Sequence, residues 1–306
     1  MPPLTSSPAV SSTVDQTKRG IAYSAGAYVL WGVVPAFWPL LVPAAPTEIL
    51  AHRIVWSLVV MAAITTAVRG WRVLRALPAK GWLLVTAASA LIAVNWGVYI
   101  HAVNTGHVVE SALGYFINPL VSVLLGVLVL RERLRLPQYA AIAVAVAAVV
   151  VLAVDYGRLP WISLVLAGSF GVYGLIKKTI ELDARSSLMA ESIVLAPIAL
   201  GYLVVSPGGT FTGHGFGHAA LLASAGVVTA IPLLLFGAGA KLVPLVTMGM
   251  LQYLAPILQF SWGVFVMHEP MPPSRWFGFA LVWVALAVFT FDAVRRGRRR
   301  IVAPVE

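Results

Sequence analysis

Three chemically capable side chains crowd the start of one apolar run: Glu48, His52 and Arg53. If the run is helical, Glu48 and His52 stand at i and i+4 on one face, where a carboxylate can steady an imidazole that titrates near neutral pH. Arg53 lies roughly 9 Å along such a helix from Thr47 at 1.5 Å per residue, too deep for an ordinary rim charge. The trio suits a gate or a proton- and anion-sensing site, and equally a static ion network in which Glu48 or Glu110 pairs with Arg53. A second charged group is formed by Lys177, Lys178 and Glu191, with Glu191 expected to pair with one of the two lysines. A third set is aromatic and amide-rich: Trp31, Asn95, Tyr99, Tyr115, Asn118, Tyr173, Gln252 and Tyr253, with Trp38 and Gln259 beside them. It suits a neutral or zwitterionic, partly aromatic solute, although Trp and Tyr also form interfacial belts and Asn and Gln also bond across helices. His214 and His218 share a Gly-rich loop, but nothing else in the sequence supports a metal site there.

The elements that must position these groups are set by hydropathy. Of the 306 residues, 60% are hydrophobic and 10% charged, with a mean hydropathy of +0.91, whereas soluble domains carry about 25% charged residues. Apolar stretches of about 20 residues, the length that crosses a hydrocarbon core as helix, recur along nearly the whole chain. They predict ten spans: 21–41, 47–68, 82–104, 109–130, 138–154, 160–180, 187–205, 217–238, 244–266 and 275–293. Pro35, Pro119, Pro232 and Pro256 fall inside spans, where each removes a backbone hydrogen bond and can kink or hinge the helix. The breaks between spans carry Pro, Gly and charge.

The net charge of +10 follows topology. With the N-terminus inside, Arg158 and Arg275 fall outside and Arg53 within a helix; every other Lys and Arg reaches the cytoplasmic side. This is the positive-inside asymmetry, and it predicts both termini in the cytoplasm and no nucleic-acid partner. The Ser-, Thr- and Pro-rich residues 1–19 are expected as a disordered cytoplasmic extension, and residues 295–306 as a basic cytoplasmic tail that also touches anionic lipid.

An internal repeat organises the spans. Leu113-Gly-Tyr-Phe-Ile-Asn-Pro-Leu, continuing to Gly126 and Glu132, matches Met250-Leu-Gln-Tyr-Leu-Ala-Pro-Ile, continuing to Gly263 and Glu269. Pro119, Gly126 and Glu132 share their spacing with Pro256, Gly263 and Glu269. Weaker echoes pair Trp31-Gly32 with Tyr173-Gly174, and residues 51–55 with 190–194. Two five-span halves, 20–154 and 155–294, must then lie upside down relative to one another. Such inverted repeats usually place a binding site near the midplane and open it alternately to either side. In that arrangement Glu191 occupies the position related to His52 but faces the inside, so the two charged groups sit where outer and inner gates would.

The stretches Ala27-Tyr-Val-Leu-Trp-Gly-Val-Val-Pro35, Glu48-Ile-Leu-Ala-His-Arg-Ile-Val-Trp-Ser57, Asn95-Trp-Gly-Val-Tyr99, Leu113 to Leu120 and Tyr173-Gly-Leu-Ile-Lys177 resemble those of RarD-type proteins. That group belongs to the EamA branch of the drug/metabolite transporter superfamily. The resemblance, running from about residue 20 to 295, implies ten helices in two inverted repeats and a transporter, monomer or homodimer, of small organic molecules in the plasma membrane. It names no substrate. An enzyme is not expected, because no His-Glu-x-x-His helix, Gly-x-Ser-x-Gly elbow or P-loop is present, and no cofactor is implied. The chain has no cysteine, which excludes disulfides and thiolate chemistry. A channel or a solute sensor is the alternative to a carrier.

Overall fold

Ala-, Leu- and Val-rich runs satisfy their backbone groups as helices when water is withheld, and the computed structural model is helical throughout its described residues, with no strand. Those residues are 8–131, 136–177, 179–206, 209–243 and 245–302. Lys178 of the charged group and Glu132 of the repeat lie outside them.

In chain order the helices are α1 (Pro8–Val33), α2 (Pro46–Ala67), α3 (Trp71–Arg75), α4 (Ala79–Asn104), α5 (Val108–Leu130), α6 (Leu136–Tyr156) and α7 (Trp161–Lys177). There follow α8 (Ala184–Val205), α9 (Thr210–Gly213), α10 (Gly215–Ala240), α11 (Leu245–Leu251), α12 (Leu254–Phe265) and α13 (Pro273–Val302). Seven of these, α2, α4, α5, α6, α8, α10 and α13, are long and apolar enough to cross a membrane, and α7 and α12 are shorter apolar helices. Large apolar side chains such as Leu136, Val154, Ile198 and Val204 stand more than two-thirds exposed on the outer surface of the bundle, which is tolerable only against lipid.

Two of the predicted spans are broken, and proline is the cause in both. The span at 21–41 runs as α1 to Val33 and then as 3-10 turns over Val34–Ala36 and Trp38–Leu41, because Pro35 and Pro39 cannot donate to the preceding turn. Pro35 leaves the Trp31 carbonyl without its helical donor, and Gln259 of α12 supplies one at 3.1 Å. The span at 244–266 splits at Gln252-Tyr253 into α11 and α12, since Pro256 has no N–H for the Gln252 carbonyl. At the N-terminus α1 is already helical at Pro8, the first described residue, so residues 8–19, expected as disordered, are helical. No Gly or further Pro interrupts the chain between Pro8 and Gly20, so helix continues upstream of the apolar part. The tail is likewise continuous with α13 up to Val302.

The helices pack α2 against α8 and α10, α4 against α7 and α8, α5 against α7 and α12, α1 against α10 and α12, and α6 against α13. Small residues set the closest crossings: a Cβ at Gly114 would meet the Ser163 carbonyl oxygen of α7 at 2.8 Å, and one at Gly226 the Trp56 carbonyl oxygen of α2 at 2.5 Å. Such contacts let backbones approach where lipid supplies no hydrophobic drive.

Candidate functional site

Arg53 extends from α2 into a nest of rings. Its guanidinium carbon lies 4.0 Å from the Trp96 ring centroid and 5.3 Å from that of Trp38, and the Tyr99 and Tyr115 phenols are close enough to interact with its charge. The side chain is buried, and among the described residues it makes no ion pair. Two desolvated cation–π contacts of about 2 kcal/mol each match the roughly 2.5–3.5 kcal/mol cost of an Arg at the middle of a membrane helix. The charge is therefore tolerated without a carboxylate. The π faces do not satisfy its in-plane N–H donors, and Nε has no acceptor.

This corrects the expectation that Glu48 or Glu110 holds Arg53. The Glu48 carboxylate accepts from the Thr210 backbone N–H at 2.6 Å and from its hydroxyl at 3.0 Å, because the amides that open α9 have no helical partner. Glu110, 1% exposed, takes both Nη atoms of Arg158, at 3.2 and 2.7 Å, and the Ile162 N–H. Nε2 of His52 stands 4.0 Å from the Glu48 carboxylate, at the outer limit of an i,i+4 ion pair, and the ring stacks on Phe211 at 4.7 Å. His218 touches the Thr210 hydroxyl at 2.8 Å. Among the described residues no cluster of three His, Asp or Glu side chains is placed to hold a metal ion.

From Arg53 an aromatic column runs through the bundle. Tyr99 meets Tyr115 edge-on at 5.7 Å, Tyr115 meets Phe170 at 6.4 Å, and Phe170 meets Tyr173 at 5.8 Å. Asn95 braces it, donating to the Leu166 carbonyl at 2.9 Å and to Ser169 at 3.0 Å while accepting from the Tyr115 hydroxyl at 3.2 Å. Asn118 lies beside Gly171 of α7, its Oδ1 without a donor. The column ends on Glu191, which accepts from Tyr173 at 3.1 Å, Ser187 at 3.1 Å and Lys177 at 2.8 Å; Lys177 is one of the two lysines expected to pair with it.

The remaining expected residues lie elsewhere. Trp31 packs with Tyr28 and Phe236 in a cluster of α1, α10, α11 and α12, and Tyr253 packs into the cluster built around α5, α6 and α13. Gln252 stands at the break between α11 and α12. Trp96, Phe170 and Ser169 join the site without having been singled out; the i+3 spacing of Trp96 and Tyr99 is the signal that placed Trp96 on the same helix. A separate cavity of about 400 Å³, lined by Thr65, Arg69, Asp183 and Arg185 among others, lies roughly 18 Å along α2 from Arg53 at 1.5 Å per residue. It belongs to the opposite end of the bundle.

On the side of Glu48 the connections are tied down. Asp155 accepts from Arg275 Nε at 2.8 Å and from Ser274. Glu269, in the connection after α12, accepts from the Val108 and Val109 N–H groups at 2.5 and 3.0 Å, capping α5.

The EamA-like transporter family matches residues 18–154. Protein RarD of Streptomyces exfoliatus is 55% identical over 291 residues, which covers 93% of this chain and 92% of that one. The chain belongs to the RarD-type group of the EamA-like transporter family. The uncharacterized transporter YojE of Bacillus subtilis is 46% identical over 92% of this chain and 96% of its own length, and Protein RarD of Escherichia coli 39% over 93% and 98%. These alignments carry the relationship through the second half, beyond the family match. A solved crystal structure shares the fold at a TM-score of 0.58 and 20% identity, over 93% of this chain and 99% of that one. This RarD-type chain is thus a multi-pass membrane protein.

Burial pushes the Glu269 carboxyl up to about 7, against the lowering pull of the Val109 and Val108 N–H groups. A carboxyl that rises from its usual range on folding binds its proton more tightly in the folded state, so its contribution to stability is full at acid pH and is lost as pH rises through 7. Thermal unfolding in nanodiscs should therefore show wild type losing more stability between pH 5 and 8 than Glu269→Gln. Parallel pH profiles would show that Glu269 titrates as an ordinary surface carboxylate.

Proposed function

We propose that this RarD-type protein is a secondary transporter that exports small organic metabolites or drug-like compounds across the bacterial plasma membrane by alternating access. The two halves, 20–154 and 155–294, form five spans each, in inverted orientation, with both termini in the cytoplasm. The observation that carries this reading is the exchange symmetry of the packing. Pairing α1 with α7, α2 with α8, α4 with α10, α5 with the broken α11–α12 and α6 with α13 converts the α1–α10 contact into α7–α4, α1–α12 into α7–α5, and α2–α10 into α8–α4. Contacts α2–α8, α5–α12 and α6–α13 convert into themselves, as expected of elements flanking a two-fold axis in the membrane plane.

The aromatic column then supplies the solute path: Tyr99, Tyr115 and Tyr173 as walls, Asn95 and Asn118 as polar markers. Glu48, His52 and Arg53 stand at its outer end, Lys177 and Glu191 at its inner end, and Lys178 next in sequence is the remaining member of the inner group. Trp31, Gln252 and Tyr253 lie away from this path, and the break between α11 and α12 at Gln252 and Tyr253 provides a hinge. Solute and lipid are the only partners this reading needs.

Reconstituted protein should give saturable flux and counterflow for some member of a panel of amino acids and amphenicol-like compounds, tested with and without a pH gradient. Flux without saturation or counterflow would mark a channel, and binding without flux a sensor. The topology has its own check in this cysteine-free chain. Cysteines replacing Val73, in α3, and Phe216, at the start of α10, both exposed, should label from opposite sides of the membrane. Labelling of both by an impermeant reagent in intact cells would remove the inverted arrangement.

A further inference from the structure

Three buried donors on side chains grouped about Arg53 have no acceptor among the described residues: Nε of Arg53 itself, Nε1 of Trp38, whose ring centroid is 5.3 Å from the guanidinium carbon, and the hydroxyl of Tyr99. Buried donors are rarely left unmade, and a cluster of them around one cation describes the shape of a missing anion. The buried carboxylates among the described residues are engaged elsewhere. Glu48 is held by Thr210, Glu110 by Arg158 and Glu191 by Lys177. Trp38 and Trp96 meet the guanidinium with their ring faces, which carry no oxygen to accept its N–H groups. Those N–H groups form a planar fork matched to the two oxygens of a carboxylate.

We infer that Arg53 is the docking point for a carboxylate carried by the transported solute, with Trp38 and Tyr99 donating to the same group and the rings from Tyr115 to Tyr173 receiving a flat, apolar body. The inference rests on the transport reading for the word "transported" alone; the binding step stands apart from it. The solute class is thus an aromatic or apolar carboxylate, charged or zwitterionic, and Arg53 is a binding residue in place of a gate tie. The low-polarity surroundings strengthen the contact.

The test uses purified full-length protein in nanodiscs, read by tryptophan fluorescence, with 3-phenylpropionate, benzoate and phenylalanine as probes against 3-phenylpropionamide, benzamide and phenylalaninamide. At least one carboxylate should bind saturably and at least about tenfold more tightly than its amide. Arg53→Gln should erase that preference, Arg53→Lys should restore part of it by keeping the charge without the fork, and Trp38→Phe should weaken it by removing one donor. Equal binding of acid and amide, or no binding of any carboxylate to wild type, overturns the inference. The acid–amide comparison on wild type decides it even if an Arg53 variant fails to fold. The same probes in proteoliposomes separate the two readings: carboxylate-selective binding without flux keeps the docking site and removes transport. Saturable flux of the amides, undiminished in Arg53→Gln, keeps transport and removes the docking site.

Discussion

Lys177→Met is expected to destabilise the protein and abolish solute flux, whereas Lys177→Met combined with Glu191→Gln is expected to regain most of the stability. The Glu191 side chain is 3% exposed and its Oε1 sits 2.8 Å from Lys177 Nζ. Removing one member of a buried pair leaves an uncompensated charge and costs about 3–5 kcal/mol, unless the survivor takes up a proton. The hydroxyls of Tyr173 and Ser187 soften that cost without cancelling it, since they bring dipoles and no charge. The double variant carries neither charge and nearly the same volume, and a Gln at 191 still accepts from both hydroxyls. Unfolding midpoints of the four members of the cycle give the coupling directly. A Lys177→Met protein as stable as the double variant would mean that the pair is an incidental contact, and the inner gate assignment would go with it.

Sequence and structure agree best where one physical rule acts alone. Span positions came from hydropathy because length and apolarity decide membrane insertion with little help from neighbours. That Glu191 pairs with a lysine at the end of α7 was legible, with Lys177 and Lys178 as the two choices, because the repeat relates Glu191 to a position at the opposite end of the bundle from His52. Arg53 was misread for a reason of the same kind. A charge deep in a span predicts a partner, and spacing offered Glu48 and Glu110, but each carboxylate found a nearer donor that sequence does not display: the Thr210 amide at the head of a one-turn helix, and Arg158 in the turn between α6 and α7. What holds Arg53 instead is the pair of tryptophan faces, and these come from a 3-10 turn and from α4, brought together by packing alone. The broken spans were half legible: Pro35 and Pro256 were recognised as kinks, yet whether a kink becomes a break depends on whether the freed carbonyl finds a donor, as Trp31 finds Gln259. Trp31 and Tyr253 were grouped with the site by residue type, which separates a binding wall from a packing seam poorly.

The least legible determinant of the site is a residue with no side chain, and it carries the last expected result. Gly226 of α10 rides on α2 at Trp56, where a Cβ would lie 2.5 Å from the Trp56 carbonyl oxygen and 2.7 Å from the Ser57 nitrogen. Both neighbours are backbone, so no rotamer change can relieve the clash and one helix must move. Trp56 is three residues beyond Arg53 on α2, one turn along the same face, so the movement displaces the guanidinium from Trp96 and Tyr99. Overpacking of this kind costs about 1–3 kcal/mol. Gly226→Ala should therefore lower the unfolding midpoint and weaken binding at Arg53 without touching a site residue, and Gly226→Leu should yield no folded protein. Gly201 in α8 provides the contrast, since nothing lies within 4 Å of a Cβ built there. Gly201→Ala in a helix interior should stabilise by roughly 0.5–1 kcal/mol through backbone entropy. Equal behaviour of the Gly226 and Gly201 alanine variants in nanodisc unfolding would show that α2 and α10 can separate freely. The position of Arg53 would then be set by the tryptophans alone, and the tight crossing would have no part in building the site.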